Sequence, residues 1–302
     1  MTRAKAPTLR EGVSAEHAAR LLREAAREAG NVAGRLSAAS HSDQDYLDWA
    51  HTQASPLASV LPPVEMDRLL FTRRYWATYE NATVQGNPYH VRAISQELGD
   101  RQAELTAAAD ALDEVIAEWA YKDAEGAAPA RWHALVLDTN VLELHHHHLS
   151  ELNWWQRLEL PEGGLRLIIP SVVRDELDAH KLTSNQPLIN RVKVEQRKQA
   201  SLALRYLNRT VPQGKHGAEL DTPVRSRLGL DLQVDELDHR RLPSPDNEIV
   251  ARALDLVPFA QRVYLASYDN NIRSTAELYG LTTLRLDYAD VDEADVQASM
   301  GR

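Results

Sequence analysis

The chain has 302 residues, 43% of them hydrophobic, enough for one large or two modest domains with a genuine core. Its formal net charge of −10 argues against a protein that coats nucleic acid, because duplex binding leans on phosphate neutralisation. A nucleic-acid enzyme stays open, since a cluster of metal-binding carboxylates is itself negative until the metal reverses its sign. The absence of cysteine excludes disulfides and thiolate metal sites and fits a reducing cytosol, so the expected compartment is the cytoplasm. No apolar run approaches the roughly 18 residues of a membrane helix. Met1-Thr2-Arg3-Ala4-Lys5 leads into a polar segment without the core of a signal peptide.

Residues 1–125 read as an all-helical, alanine-rich domain. Ala18, Leu21, Leu22, Ala25 and Ala29 fall at helix spacing. A second helix is expected from Asp43 to Val60, stopping before Pro62-Pro63. From Val91 to Tyr121, Leu98, Leu105, Leu112 and Trp119 recur every seven residues, with Ala109 and Ile116 in the companion seam. That stripe suits packing in a local bundle better than a coiled-coil dimer, because only about three heptads are present. A protein partner or a dimer through these helices remains open. Lys122 to Pro129, with charge, Gly and Pro but no periodicity, looks like a linker.

After it the pattern changes. Apolar runs at His133–Leu137, Leu165–Ile169, Val263–Ala266 and Thr282–Leu286 predict strands, with a further one near Leu232–Leu237. Helical stretches at Ser171–Lys181, Arg191–Leu207, Asn247–Leu256 and Asn271–Tyr279 lie between them. Such alternation predicts an α/β domain over 131–290, a parallel sheet with crossover helices, followed by a tail over 291–302.

Four acids sit at equivalent places. Asp138 ends the first strand, in Leu135-Val136-Leu137-Asp138-Thr139-Asn140. Glu176 is expected in the first turn of the helix after Leu167-Ile168-Ile169-Pro170, Asp246 precedes Glu248-Ile249-Val250-Ala251, and Asp269 follows Val263-Tyr264-Leu265-Ala266. If the strands are parallel, all four lie along one edge of the sheet, where ligands bind in open α/β folds. Any one of them has an ordinary explanation as a helix cap or dipole partner. Together they would repel one another unless a cation offsets the charge. Mg²⁺ and Mn²⁺ prefer carboxylate oxygen, and a pair about 3.5–4 Å apart can hold both oxygens of an in-line phosphoryl displacement. The chemistry this predicts is hydrolysis of a phosphodiester.

Residues 131–290 resemble a PIN domain. The resemblance is carried by Leu137-Asp138-Thr139-Asn140-Val141-Leu142, Pro170-Ser171-Val172-Val173-Arg174-Asp175-Glu176-Leu177, Asp246-Asn247-Glu248-Ile249, and Ser267-Tyr268-Asp269-Asn270-Asn271-Ile272-Arg273 with Ala276 and Gly280. It implies a three-layer α/β/α fold whose acids bind Mg²⁺ or Mn²⁺ and whose metal-activated water cuts single-stranded RNA, leaving a 5′-phosphate and a 3′-hydroxyl. By position, Asp138, Glu176, Asp246 and Asp269 take the metal roles, and Asn140 and Ser267 look like polar helpers that hold carboxylates or water. The span from Glu176 to Asp246 is longer than in compact members. The first 125 residues match no nuclease element, which counts against a bare toxin.

Beside these motifs, Lys181 to Arg209 holds seven basic residues and one acid. Arg191, Lys198 and Arg205 are seven apart and would share a helix face, either a grip on RNA phosphates or an ordinary solvated face. His145-His146-His147-His148 is expected at a solvated rim rather than at a second metal site. Trp154-Trp155 reads as core. Arg73-Arg74-Tyr75-Trp76 with Tyr79 interleaves basic and aromatic residues, as single-strand binders do, but also suits a packed helix. A P-loop, a nucleophile elbow and the paired aspartates of an aspartate-nucleophile phosphatase are absent. The expectation is therefore a cytoplasmic, metal-dependent endoribonuclease. The alternatives are a non-catalytic RNA- or protein-binding module of the same fold and a nuclease acting on DNA.

Overall fold

The computed structural model describes residues 6–36, 42–81, 88–122, 129–161, 163–183, 188–189, 192–193, 195–211, 217–222, 226–237 and 239–286. The chain divides into two compact units, Met1–Trp119 and Ala120–Arg302.

The first unit is helical: α1 (Ala15–Arg35), α2 (Ser42–Ala58), α3 (Pro63–Leu69), α4 (Arg73–Asn81) and α5 (Pro88–Glu118). Ser14 caps α1, its hydroxyl accepting from the His17 N–H at 3.3 Å. One face of α1 is buried through Ala15, Ala18, Ala19, Leu22, Ala25, Ala26 and Ala29. This small-residue face lies along α5, whose Leu98, Leu105, Ala109 and Leu112 have no exposed surface. The approach is close: a Cβ on Gly30 would come within 2.8 Å of Gln102 Oε1. The heptad stripe is thus covered within this chain, as a bundle requires. The sequence reading lacked α3 and α4, short segments that follow Pro62 and Thr72 and carry no apolar period of their own. Tyr75 of α4 is buried, whereas Trp76 and Tyr79 are 50% and 55% exposed.

Arg101 is the buried charge of this unit. It pairs with Glu97 at 3.1 Å and Glu104 at 2.9 Å and donates to the carbonyls of Arg68 and Leu69 at the end of α3. Those carbonyls are ones that a helix end leaves without internal partners. Removing one member of such a buried set strands the others. Arg101→Ala is expected to destabilise the helical unit by about 3–5 kcal/mol, read as a lower urea midpoint by far-UV circular dichroism.

The second unit begins with β1 (Ala120–Tyr121), β2 (Ala130–Arg131), β3 (His133–Leu137), α6 (Thr139–His145), α7 (Trp154–Arg157), β4 (Gly164–Pro170) and α8 (Ser171–His180). It continues with β5 (Leu188–Ile189), β6 (Val192–Lys193), α9 (Gln196–Thr210), β7 (Gly217–Leu220), β8 (Arg227–Gln233), α10 (Pro245–Leu254), β9 (Val263–Ser267), α11 (Asn270–Leu278) and β10 (Thr282–Arg285). The unit is α/β, with helices flanking a six-stranded sheet of order β10-β9-β3-β4-β8-β7. All neighbours are parallel except β7, which pairs antiparallel with β8. The core strands β3 and β9 are buried nearly throughout, as parallel strands covered on both faces must be.

Several expectations shift. Tyr121 and Ala130 pair across the segment read as a linker, so that segment connects two strands of the second unit. Tyr121 Oη also accepts from the Gly164 N–H at 2.7 Å, fastening β1 to the start of β4. Residues 123–128 themselves lie outside the described residues, as do Arg191 and the tail over 291–302. The helix expected from Arg191 starts at Gln196, because Val192-Lys193 is spent on a two-residue ladder with Leu188-Ile189. The strand expected near Leu232–Leu237 runs from Arg227 to Gln233. The charge of Asp231, which disguises that stretch, is paired with Arg166 of β4 at 3.1 Å.

The histidine run is a solvated rim only in its second half, where His147 is exposed and His148 half-exposed. His145 and His146 are buried, at 2% and 6% exposure. His145 Nε2 and Tyr268 Oη are 2.5 Å apart, and their rings stack. Burial holds the His146 imidazole down to about 4. Trp154 and Trp155 are core, with Trp154 Nε1 donating to the Leu149 carbonyl at 2.7 Å.

Candidate functional site

The sheet register brings the first acid to its place. Leu137 of β3 lies opposite Ala266 of β9, and the Asp138 N–H donates to the Ala266 carbonyl at 3.1 Å. One residue further on, Asp138 and Ser267 stand side by side. Ser267 Oγ donates to Asp138 Oδ2 at 2.6 Å and accepts from the Asp269 N–H at 2.9 Å. A single buried hydroxyl therefore ties two of the expected acids together. Asp138 also caps α6, accepting from the Thr139 N–H at 2.6 Å, and Asp269 caps α11, accepting from the Asn271 N–H at 2.7 Å. The capping role and membership of the acidic group are held by the same residues.

Glu176 arrives from α8. It is the sixth residue of that helix, in its second turn rather than its first, because the helix starts directly at Ser171. Thr139 Oγ1 donates to Glu176 Oε2 at 2.5 Å, linking the second acid to the residue after the first. Asp246, second in α10, is half-buried. Burial and the charge of Asp269 push its carboxyl up, against a hydrogen bond from Asn271 that lowers it. Asp138 is 3% exposed, and burial pushes its carboxyl up to about 6, against the hydrogen bonds of Ser267 and Thr139. The charges of Glu176 and Asp246 push it further in the same direction. The four acids thus converge electrostatically, although among the described residues no three of them have oxygens mutually within 4.8 Å.

Among the described residues Asn140 makes no hydrogen bond to a carboxylate. Its Oδ1 accepts from the Tyr268 N–H at 3.4 Å, so it steadies the chain between Ser267 and Asp269. Thr139 makes the contact to a carboxylate instead. The sequence reading missed this, though Thr139 stands in the same motif and its hydroxyl was the signal.

A second set was also missed. Asp235, His239 and Glu248 bring potential ligand atoms within 4.8 Å of one another. Glu248, 1% exposed, uses one oxygen to meet His239 Nε2 at 2.7 Å and the other to accept the Leu242 N–H at 2.8 Å. Arg241 pairs with Asp235 at 2.6 Å, and Arg252 Nη1 approaches His239 at 3.2 Å. These atoms already serve one another, and they pin the segment before α10 onto the turn that carries Asp246.

Residues 135–287 match the family model described as PIN domain, a span of just over half the chain. The chain belongs to the PIN domain family. PIN domains have a nuclease-type fold and typically use divalent metals. The matched span holds all four acids, Asn140 and Ser267. No curated protein matches the chain.

The donor set fits a hard divalent cation. It consists of carboxylate oxygens, and its most buried member feels only further negative charge from the other acids. Asp138→Asn removes a buried like charge while leaving the β3 and β9 backbone intact. In EDTA at neutral pH it is expected to raise stability by on the order of 1–3 kcal/mol, read as a higher melting temperature. An acid whose folded value is raised is destabilising above that value, so the gain fades as pH falls from about 6 toward 4.

Proposed function

We propose that the protein is a metal-dependent endoribonuclease that hydrolyses phosphodiester bonds of single-stranded RNA in the cytoplasm. The observation that supports this reading most is the convergence of Asp138, Glu176, Asp246 and Asp269 at the carboxyl ends of parallel strands. Asp138, Glu176, Asp246 and Asp269 would hold Mg²⁺ or Mn²⁺. When bound, such an ion polarises a phosphoryl oxygen and lowers the pKa of water.

The chain's own residues supply the rest. Ser267 and the Thr139 N–H fix the Asp138 carboxylate by two hydrogen bonds, so one rotamer is held ready. The Thr139 hydroxyl does the same for Glu176. Asn140 and the Asp269 cap set the height of the β9–α11 turn. Preorganised groups of this kind need no rearrangement at the moment of reaction. The absence of cysteine agrees with a reducing compartment, and among the described residues no helix is long and apolar enough to cross a membrane.

Asp138→Asn or Asp246→Asn is expected to abolish Mg²⁺- or Mn²⁺-dependent cleavage of labelled single-stranded RNA while the circular dichroism spectrum stays native. The wild-type products are expected to carry a 5′-phosphate and a 3′-hydroxyl. Full activity in EDTA, or cleavage of DNA alone, rejects the reading.

Substrate grip is assigned to α9, on which Lys198 and Arg205 are seven residues apart and Arg205 is exposed. The double variant Lys198→Glu, Arg205→Glu is expected to weaken RNA binding and flatten its salt dependence. An unchanged dissociation constant from 50 to 200 mM salt removes α9 from the substrate path. Among the described residues, the exposed Trp76 and Tyr79 of α4 are the aromatic surface the helical unit offers to RNA or a protein partner.

A further inference from the structure

Two rungs of polar contact join α6 to α8. On the first, Thr139 Oγ1 donates to Glu176 Oε2. On the second, four residues further along each helix, His180 Nδ1 lies 2.6 Å from Glu143 Oε1. A spacing of four sets His180 beside Glu176 on one helix face, with about 5–6 Å between their Cβ atoms. Glu143 is buried, and its carboxyl is pushed up by burial and by Glu176, against the hydrogen bonds and charge of its partners.

Gln196, the first residue of α9, completes the second rung. Its amide hydrogen-bonds to Glu143 and lies 3.0 Å from His180 Nδ1. A carboxylate oxygen so close to Nδ1 places the proton on that nitrogen, so the amide hydrogens serve Glu143. The imidazole is thereby fixed in tautomer and orientation. Its inner nitrogen is spent on Glu143. Among the described residues Nε2 has no hydrogen-bond partner, and the side chain is 28% exposed.

With Nδ1 held by Glu143, an imidazolium at this position presents a single outward N–H, a donor for an anion. The anion an RNA strand presents beside the four acids is its next phosphate. We propose that His180 Nε2 donates to the RNA phosphate flanking the scissile bond, with Glu143 as the residue that positions the ring. The inference rests on the ribonuclease reading of the acidic site.

The test measures binding of a labelled single-stranded RNA to the full chain carrying Asp138→Asn, which leaves the strand uncut, over a series of KCl concentrations. On that background His180→Asn keeps an amide N–H for Glu143 but lacks the Nε2 atom. The expected result is a loss of about 0.7 from the slope of log K against log salt, the contribution of one phosphate on a single strand, with the melting temperature retained. His180→Lys, which returns a cation, is expected to restore the slope. In the cleaving protein, His180→Asn is expected to raise KM more than it lowers kcat. An unchanged slope in His180→Asn overturns the inference while leaving the ribonuclease reading intact. If the Asp138→Asn protein binds no RNA at any salt, both fall. If His180→Asn and His180→Lys both lose thermal stability and RNA binding together, the rung is structural and the phosphate contact is rejected.

Discussion

A carboxylate taken almost wholly out of water, with two more carboxylates acting on it, is the constraint around which the second unit is arranged. Desolvation of Asp138 opposes its charge, and Glu176 and Asp246 oppose it further. Among the described residues two groups reduce that cost, the Ser267 hydroxyl and the Thr139 N–H. Both depend on register. Because Leu137 lies opposite Ala266, the next residue on each strand comes level, and Ser267 meets Asp138. Slipping β3 by one residue against β9 would turn every side chain to the other face of the sheet and break the pair. The apolar burial of His133–Leu137 and Val263–Ala266 fixes the register, and the register fixes the charge.

The arrangement makes each polar atom serve twice. Ser267 donates to one acid and accepts from the backbone of another. Asp138 and Asp269 cap the helices that follow them, so their main chains are anchored by the helices' own requirements. Thr139 starts α6 and steadies Glu176. Local stability and site geometry therefore share the same hydrogen bonds. Altering a capping group disturbs a carboxylate, and deleting the Asp138 or Asp269 side chain exposes a helix end.

How much of this the sequence reveals depends on how local the cause is. The strand His133–Leu137 matches residue for residue, because a run of apolar residues ending in an N-cap has one reading. Helices α8, α10 and α11 lie within about two residues of their expected limits, for the same reason. Strand β8 is displaced because Asp231 breaks its apolar pattern, and the arginine that neutralises it lies on another strand. The two-residue ladder β5–β6 draws no periodicity at all. Within the site, the four acids are visible from their positions after strands. Their supports are less so. Ser267, expected to hold a carboxylate or water, donates to Asp138; Asn140, given the same role, accepts from the Tyr268 N–H; and Thr139 is overlooked. The buried histidines fail for a related reason: His145 is accounted for by Tyr268, 123 residues away in the chain.

The 70-residue span between Glu176 and Asp246 forms part of the scaffold of the site. It contributes α9, which packs on α6 and α8, and it extends the sheet through β8 and β7. β8 runs beside β4 as far as Gln233 opposite Pro170, which delivers the chain to the edge where α8 begins. Ser171 Oγ then donates to the Gln233 carbonyl and accepts from the Asp235 N–H, stitching the two exits together. Arg241 bridges Asp235 and Asp175 of α8, and Glu248 holds His239 and Leu242. Each of these contacts shortens the freedom of the segment that ends at Asp246. An acid contributed from α10, far along the chain from Asp138, can join the group only if the path to it is this constrained. This span is the part of the molecule that constrains it.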